Sequence, residues 1–305
     1  MSLKNPCLSC SERSKNAFKG EKKVETAVAK TAGFCFGVNR AVEMAYKLLD
    51  EGKKVTMYGP IIHNPQVIDD MKNRGADIIE DCALVDKSRT LLIRAHGVEK
   101  QTEEEIRRLG VDYCDATCPF VRKIHKTVSE NSGENVLTMI AGDADHPEVR
   151  GIRSYAKGES IVFKSSEELE IILNERPEIK ENAVIFVAQT TFSIKDWKKC
   201  KKNINLVCTN AKIFDTICFA TEERQSEAVT LSLSCDAMLI IGGRQSSNTA
   251  KLKKVCEQNT PTFLVESADE LDGIDFTPYR RIGITAGAST PASTIKEVND
   301  YVRKI

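Results

Sequence analysis

The chain has no excess of either charge: Lys and Arg together number 44, and so do Asp and Glu. A balance of this kind leaves no broad basic stripe, which argues against a nucleic-acid or membrane-surface partner. Long apolar runs are also missing. The longest, such as Ala183 to Ala188, fall far short of the ~20 residues a spanning helix needs. The N-terminus lacks the apolar core of a signal peptide, so the expected compartment is the cytoplasm. The eleven cysteines are odd in number and irregular in spacing, a poor disulfide framework. Reduced thiols in such a chain are either small buried hydrophobes or metal and catalytic groups.

Three of those cysteines head three similar stretches. Cys35 lies in Gly33-Phe34-Cys35-Phe36-Gly37, Cys118 in Ala116-Thr117-Cys118-Pro119, and Cys218 in Thr216-Ile217-Cys218-Phe219. Twenty-four residues after each comes a glycine: Gly59, Gly142 and Gly242. Twenty-eight residues after each comes a hydrogen-bonding side chain: His63, His146 and Ser246. The repeat predicts three similar α/β lobes, with mostly parallel sheets set pseudo-threefold around one centre. Residues 1–23 read as a flexible N-terminal extension carrying Cys7-x-x-Cys10 without a second pair to complete a zinc site. The lobes are expected at 24–117, 118–214 and 215–305, each opened by a strand near its cysteine: Val24–Ala29, Tyr113–Ala116 and Lys212–Phe214.

Three thiolates far apart in sequence suit an iron–sulfur centre better than structural zinc, which takes closely paired ligands and a fourth protein donor. Cys35, Cys118 and Cys218 would hold one 4Fe–4S cluster and leave one iron without a protein ligand. Cys82, Cys114, Cys200, Cys208, Cys235 and Cys256 read as small hydrophobes. Around the centre, His63, His96, Ser246, Ser247, Asn248 and Ser289 fall at strand ends or helix starts and read as an anion site. Gly242 and Gly243 would let backbone approach a ligand. His125 lies mid-helix, outside the repeat, and reads as a satisfied side chain. Glu148 has two readings: a proton donor whose pKa is raised by desolvation, or a first-turn carboxylate stabilised by the helix dipole.

Nine segments in order resemble the 4-hydroxy-3-methylbut-2-enyl diphosphate reductases of the non-mevalonate isoprenoid pathway. They are Gly33–Val38, Gly59–Asn64, Arg94–Val98, Asp115–Pro119, His146–Val149, Gln189–Thr191, Asp215–Cys218, Ser246–Asn248 and Thr285–Ser289. The resemblance implies three α/β domains around a 4Fe–4S cluster held by Cys35, Cys118 and Cys218. It implies that His63, His96, Ser246, Asn248 and Ser289 grip a diphosphate, with His146 and Ser247 close by. Thr190 would bond the substrate hydroxyl and Glu148 would be the proton source, so Glu148, Thr190 and His146 form the expected catalytic group. The implied reaction is a reductive dehydration giving isopentenyl and dimethylallyl diphosphate, with a ferredoxin- or flavodoxin-type donor. Two features depart from the family pattern: the extension with Cys7 and Cys10, and the acidic loop of Asp143 and Asp145. Carboxylates there would weaken diphosphate binding unless they point outward. The competing readings are a quinolinate synthase-like dehydratase without net reduction, and a non-catalytic metal or phosphate binder.

Overall fold

The computed structural model describes residues 24–305; Cys7 and Cys10 lie outside the described residues. The chain begins with β1 (Glu25–Val28), then α1 (Phe36–Asp50), β2 (Val55–Tyr58), α2 (Pro65–Asn73), β3 (Asp77–Ile79), β4 (Thr90–Ile93), α3 (Lys100–Leu109) and β5 (Tyr113–Asp115). It continues through α4 (Pro119–Asn131), β6 (Val136–Ala141), α5 (Pro147–Ser154), β7 (Ser160–Phe163), α6 (Ser166–Glu175), β8 (Ala183–Ala188), α7 (Ile194–Val207) and β9 (Ala211–Ile213). It closes with α8 (Phe219–Ser232), β10 (Ala237–Ile241), α9 (Ser247–Cys256), β11 (Thr262–Val265), β12 (Arg281–Ala286) and α10 (Ala292–Val302).

These strands form three four-stranded sheets, ordered β3-β2-β4-β5, β7-β6-β8-β9 and β11-β10-β12-β1. Every strand pair within them is parallel. Central strands are buried throughout and mostly apolar, as in β2 and β10, because helices cover both faces. The three-lobed α/β architecture expected from the repeat is therefore what the chain adopts.

One expectation is corrected. Val24–Ala29 was expected to open the first lobe, but β1 lies at the edge of the third sheet, in register from Glu25 opposite Arg281 to Val28 opposite Ile284. Val24 is buried in the third lobe's core with Ile282 and Ile284. In the same way β5 and β9 close the sheets of the first and second lobes rather than opening the next. Each lobe thus starts at the helix after one cysteine and ends at the strand before another. The first strand of the chain completes the last lobe. A short apolar strand records its own conformation in sequence but not the edge it joins, which is why the partner was misread.

Candidate functional site

A single central cavity is lined by Cys35, Cys118 and Cys218 together. Each is the residue immediately before a helix, α1, α4 and α8 respectively. The placement follows from the fold, since parallel strands deliver their loops to the carboxyl edge of each sheet. Cys118 packs directly against the first turn of α1, two residues on from Cys35: a Cβ at Gly37 would sit 2.5 Å from Cys118 Sγ. Burial raises the Cys118 and Cys218 pKa values. Backbone N–H groups of Phe120 and Val121, and of Ala220 and Thr221, pull the other way, and the charges of neighbouring thiols add to the rise. A metal cation bound by such thiols would displace their protons to solvent.

The polar wall is made by His63, His96 and His146. Their ring centroids lie 4.5, 5.6 and 5.4 Å apart, for the 63–96, 63–146 and 96–146 pairs. Their ligand-capable nitrogens all fall within 4.8 Å of one another. The rings are half-buried at the edge of the cavity, and desolvation lowers all three pKa values, that of His146 to about 4. His146 caps α5 by accepting the Glu148 N–H at Nδ1, 3.1 Å, so its neutral ring carries hydrogen on Nε2. His63 Nε2 and His96 Nδ1 are buried without partners, as is the Asn248 amide nitrogen. Unpaired buried donors of this kind are costly unless a ligand satisfies them.

Ser246 caps α9, and Ser247 Oγ lies 3.2 Å from Thr191 Oγ1 across the seam between the second and third lobes. Ser289 donates to the His63 carbonyl at 3.0 Å, and Asn64 donates to the Ser289 carbonyl at 2.8 Å, joining the third lobe to the first. Glu148 is buried, at 2% exposure. Its carboxylate accepts the Thr190 N–H at 2.6 Å and the Thr190 hydroxyl at 2.8 Å. Desolvation raises its pKa to about 7, against the lowering effect of those two bonds. A first-turn carboxylate exposed to water would not behave so.

All the sequence-predicted site residues line this one cavity. Other expectations need correction. Gly242 and Gly243 do not line it: a Cβ at Gly242 would meet Thr249 Oγ1 at 2.7 Å, and one at Gly243 would meet the His63 carbonyl at 3.2 Å. They permit close packing of protein on protein. His125 is buried and stacked 4.4 Å from Tyr155, yet its Nε2 has no partner, so it is not the satisfied side chain expected. Asp143 and Asp145 are exposed, and Asp143 Oδ1 accepts the Asp145 N–H, so the acidic loop folds onto itself. Cys82, Cys200, Cys208 and Cys256 are buried, while Cys114 and Cys235 are half-buried. The reading from sequence missed Arg224, which is buried and lines the cavity. Its signal was the helix after Cys218, whose inward face carries Thr221, Arg224 and Gln225 instead of apolar residues.

A family model described as LytB protein matches residues 26–303. A protein of Thermoanaerobacter sp. (strain X514), named 4-hydroxy-3-methylbut-2-enyl diphosphate reductase, is 42% identical over 281 residues, covering 90% of this chain and 96% of that one. The protein of the same name from Geobacter sulfurreducens is 40% identical over 282 residues, covering 92% and 98%. A solved structure of (E)-4-hydroxy-3-methyl-but-2-enyl diphosphate reductase, the terminal enzyme of the non-mevalonate pathway, is 37% identical. It superposes with a TM-score of 0.65 over 92% of this chain and 100% of that one. The Plasmodium falciparum reductase structure is 26% identical, with a TM-score of 0.80 over 91% and 87%.

Proposed function

The chain belongs to the LytB protein family, and from that premise we propose that it reduces 4-hydroxy-3-methylbut-2-enyl diphosphate to isopentenyl and dimethylallyl diphosphate. The observation that carries the reading is one cavity shared by three cysteines, each at a lobe boundary, and a buried Glu148–Thr190 pair. The overall change consumes two electrons and two protons, replaces a C–O bond with a C–H bond and releases water.

The donor set fits the cofactor this reaction needs. Three thiols meet at helix N-termini, and no fourth cysteine lines the cavity among the described residues. Held by Cys35, Cys118 and Cys218, a 4Fe–4S cluster would supply electrons and one iron able to bind an oxygen as a Lewis acid. The protein's own part is binding and proton delivery. His63, His96, Asn248, Ser246 and Ser289, with His146 and Ser247 near, would take the diphosphate, and the buried atoms of His63, His96 and Asn248 otherwise lack partners. The diphosphate stays intact and acts as the handle that fixes the reacting end.

At the other end Glu148, neutral below a pKa of about 7, donates to Thr190 Oγ1 and frees the Thr190 hydroxyl hydrogen for the substrate oxygen. That relay delivers the proton with which the hydroxyl leaves as water. An external donor of the ferredoxin or flavodoxin type completes the electron supply, and a cytoplasmic setting suits it. Among the described residues no helix is long and apolar enough to cross a membrane.

The decisive assay uses anaerobically purified protein. A brown preparation that oxidises reduced viologen only when the hydroxylated diphosphate is present supports the reading. Substrate loss with no viologen oxidation would instead indicate a dehydratase. A colourless protein with stoichiometric zinc would indicate a non-catalytic binder.

A further inference from the structure

The geometry points to Arg224 and Arg40 as positioning residues for the sulfur centre, each gripping, from a helix that starts at one ligand cysteine, the backbone just ahead of another. The inference rests on the assignment of Cys35, Cys118 and Cys218 as ligands.

Arg224 lies six residues after Cys218, on α8. It is only 3% exposed. Its Nε donates to the Thr31 carbonyl at 2.9 Å and its Nη2 to the Gly33 carbonyl at 2.6 Å. One turn further along α8, the Glu227 carboxylate accepts from the Lys30 and Thr31 N–H groups, both at 2.8 Å, and from the Thr31 hydroxyl at 2.6 Å. The segment leading into Cys35 is therefore held by its carbonyls and its amides at once. Gly33 sits at φ +99°, a left-handed conformation that few other residues tolerate, and glycine's freedom elsewhere leaves the fork to hold that one shape.

The first lobe repeats the device. Arg40, five residues after Cys35, donates through Nη1 to the Thr117 carbonyl and through Nη2 to the Asp115 carbonyl, both at 3.3 Å. That segment leads into Cys118. The second lobe breaks the pattern. Arg122, at the comparable place after Cys118, turns to Asp115 instead. The segment before Cys218 is tied within its own lobe, by Thr216 to the Ala188 carbonyl and by the Cys218 N–H to the Thr190 carbonyl. Two of the three cysteine segments are thus gripped by a guanidinium fork from the helix after another cysteine. The backbone bond at Cys218 has counterparts at Cys35, to the Ala288 carbonyl, and at Cys118, to the Ala95 carbonyl, so the third segment has that bond without the fork.

The chemistry explains the residue type. A planar guanidinium holds two carbonyls at a fixed spacing, whereas the donors of an ammonium are on a single rotatable nitrogen and fix no such spacing. Arg224 also lines the cavity that the three cysteines share, and the charges of Cys35 and Cys218 favour its charged form against the cost of burial. A buried cation beside a cluster makes the added electron easier to accept.

The test compares wild type with Arg224→Lys, Arg224→Gln and Arg40→Lys, all reconstituted anaerobically. Three quantities are read: iron release to a chelator, midpoint potential by spectroscopic titration, and melting of the metal-free protein. Outer residues around metal ligands typically matter about 10–100-fold in metal retention, so all three variants should release iron at least roughly tenfold faster. Arg224→Gln alone should also move the midpoint potential to more negative values, because it alone removes charge. Unchanged release in both Arg224 variants overturns the proposal. So does a fall in metal-free melting that accounts for all of the iron loss, since that would mean a general packing role. A wild type without iron sinks the ligand assignment and this inference with it; a brown wild type with unaltered variants sinks the clamp alone.

Discussion

Glu148 is held between two opposed influences, desolvation that favours its neutral form and two Thr190 bonds that favour its charged form. Desolvation wins and sets its pKa near 7. As a proton donor it works only when protonated, so kcat should be level below about pH 7 and fall by about tenfold per unit above it. Glu148→Gln should lose at least roughly a hundredfold in kcat with little change in KM. A level kcat to pH 9, or an unimpaired Gln variant, would return the residue to a capping role. The three histidines shift the other way. Burial keeps them neutral at pH 7, and a bound anion favours their protonated forms. Inorganic pyrophosphate should therefore bind with net proton uptake and more tightly as pH falls. Calorimetry in two buffers of different ionisation heat reads this directly, and equal observed heats in the two buffers would refute it.

Helices and strands explain why some of the site was legible and some was not. The offsets of 24 and 28 residues after each cysteine survive because a helix and a strand of similar length separate the same two loops in each lobe. Polar donors at strand ends could therefore be found by counting. The β1 edge could not, since it depends on a strand more than 250 residues away in sequence. Nor could the role of α8, whose buried polar face obscures the apolar period that marks α1 and α4. Gly37 offers a test at this scale. It lies in the first turn of α1, and alanine is the better helix former by about 1 kcal/mol. Its added Cβ would nonetheless overlap Cys118 Sγ, at 2.5 Å. Gly37→Ala should thus fold and melt no lower than wild type when metal-free, yet retain little iron. Full iron content in that variant would show that Cys118 is free to move away and does not have to lie where the fold puts it.

Across the whole molecule, each hydrophobic cluster stays within one lobe: two are built from the first, two from the second and two from the third. Among the described residues the seams are crossed by polar contacts, such as Ser289 to His63, Thr191 to Ser247 and Tyr155 to Glu103. Polar contacts of this kind can be exchanged for others at small cost, whereas a close-packed core cannot slide. Three rigid bodies around a cavity are the expected mechanical result. His63, His146 and Ser246 come from three different lobes, so an anion bound to all three would draw the lobes together. The radius of gyration measured by small-angle scattering should therefore fall when pyrophosphate is added to the cluster-loaded protein. It should not fall in a variant carrying His63→Ala and Ser246→Ala, which removes donors from two of the lobes. An unchanged radius in the wild type at saturating pyrophosphate would mean that the cavity is already in its binding form and that the seams are fixed.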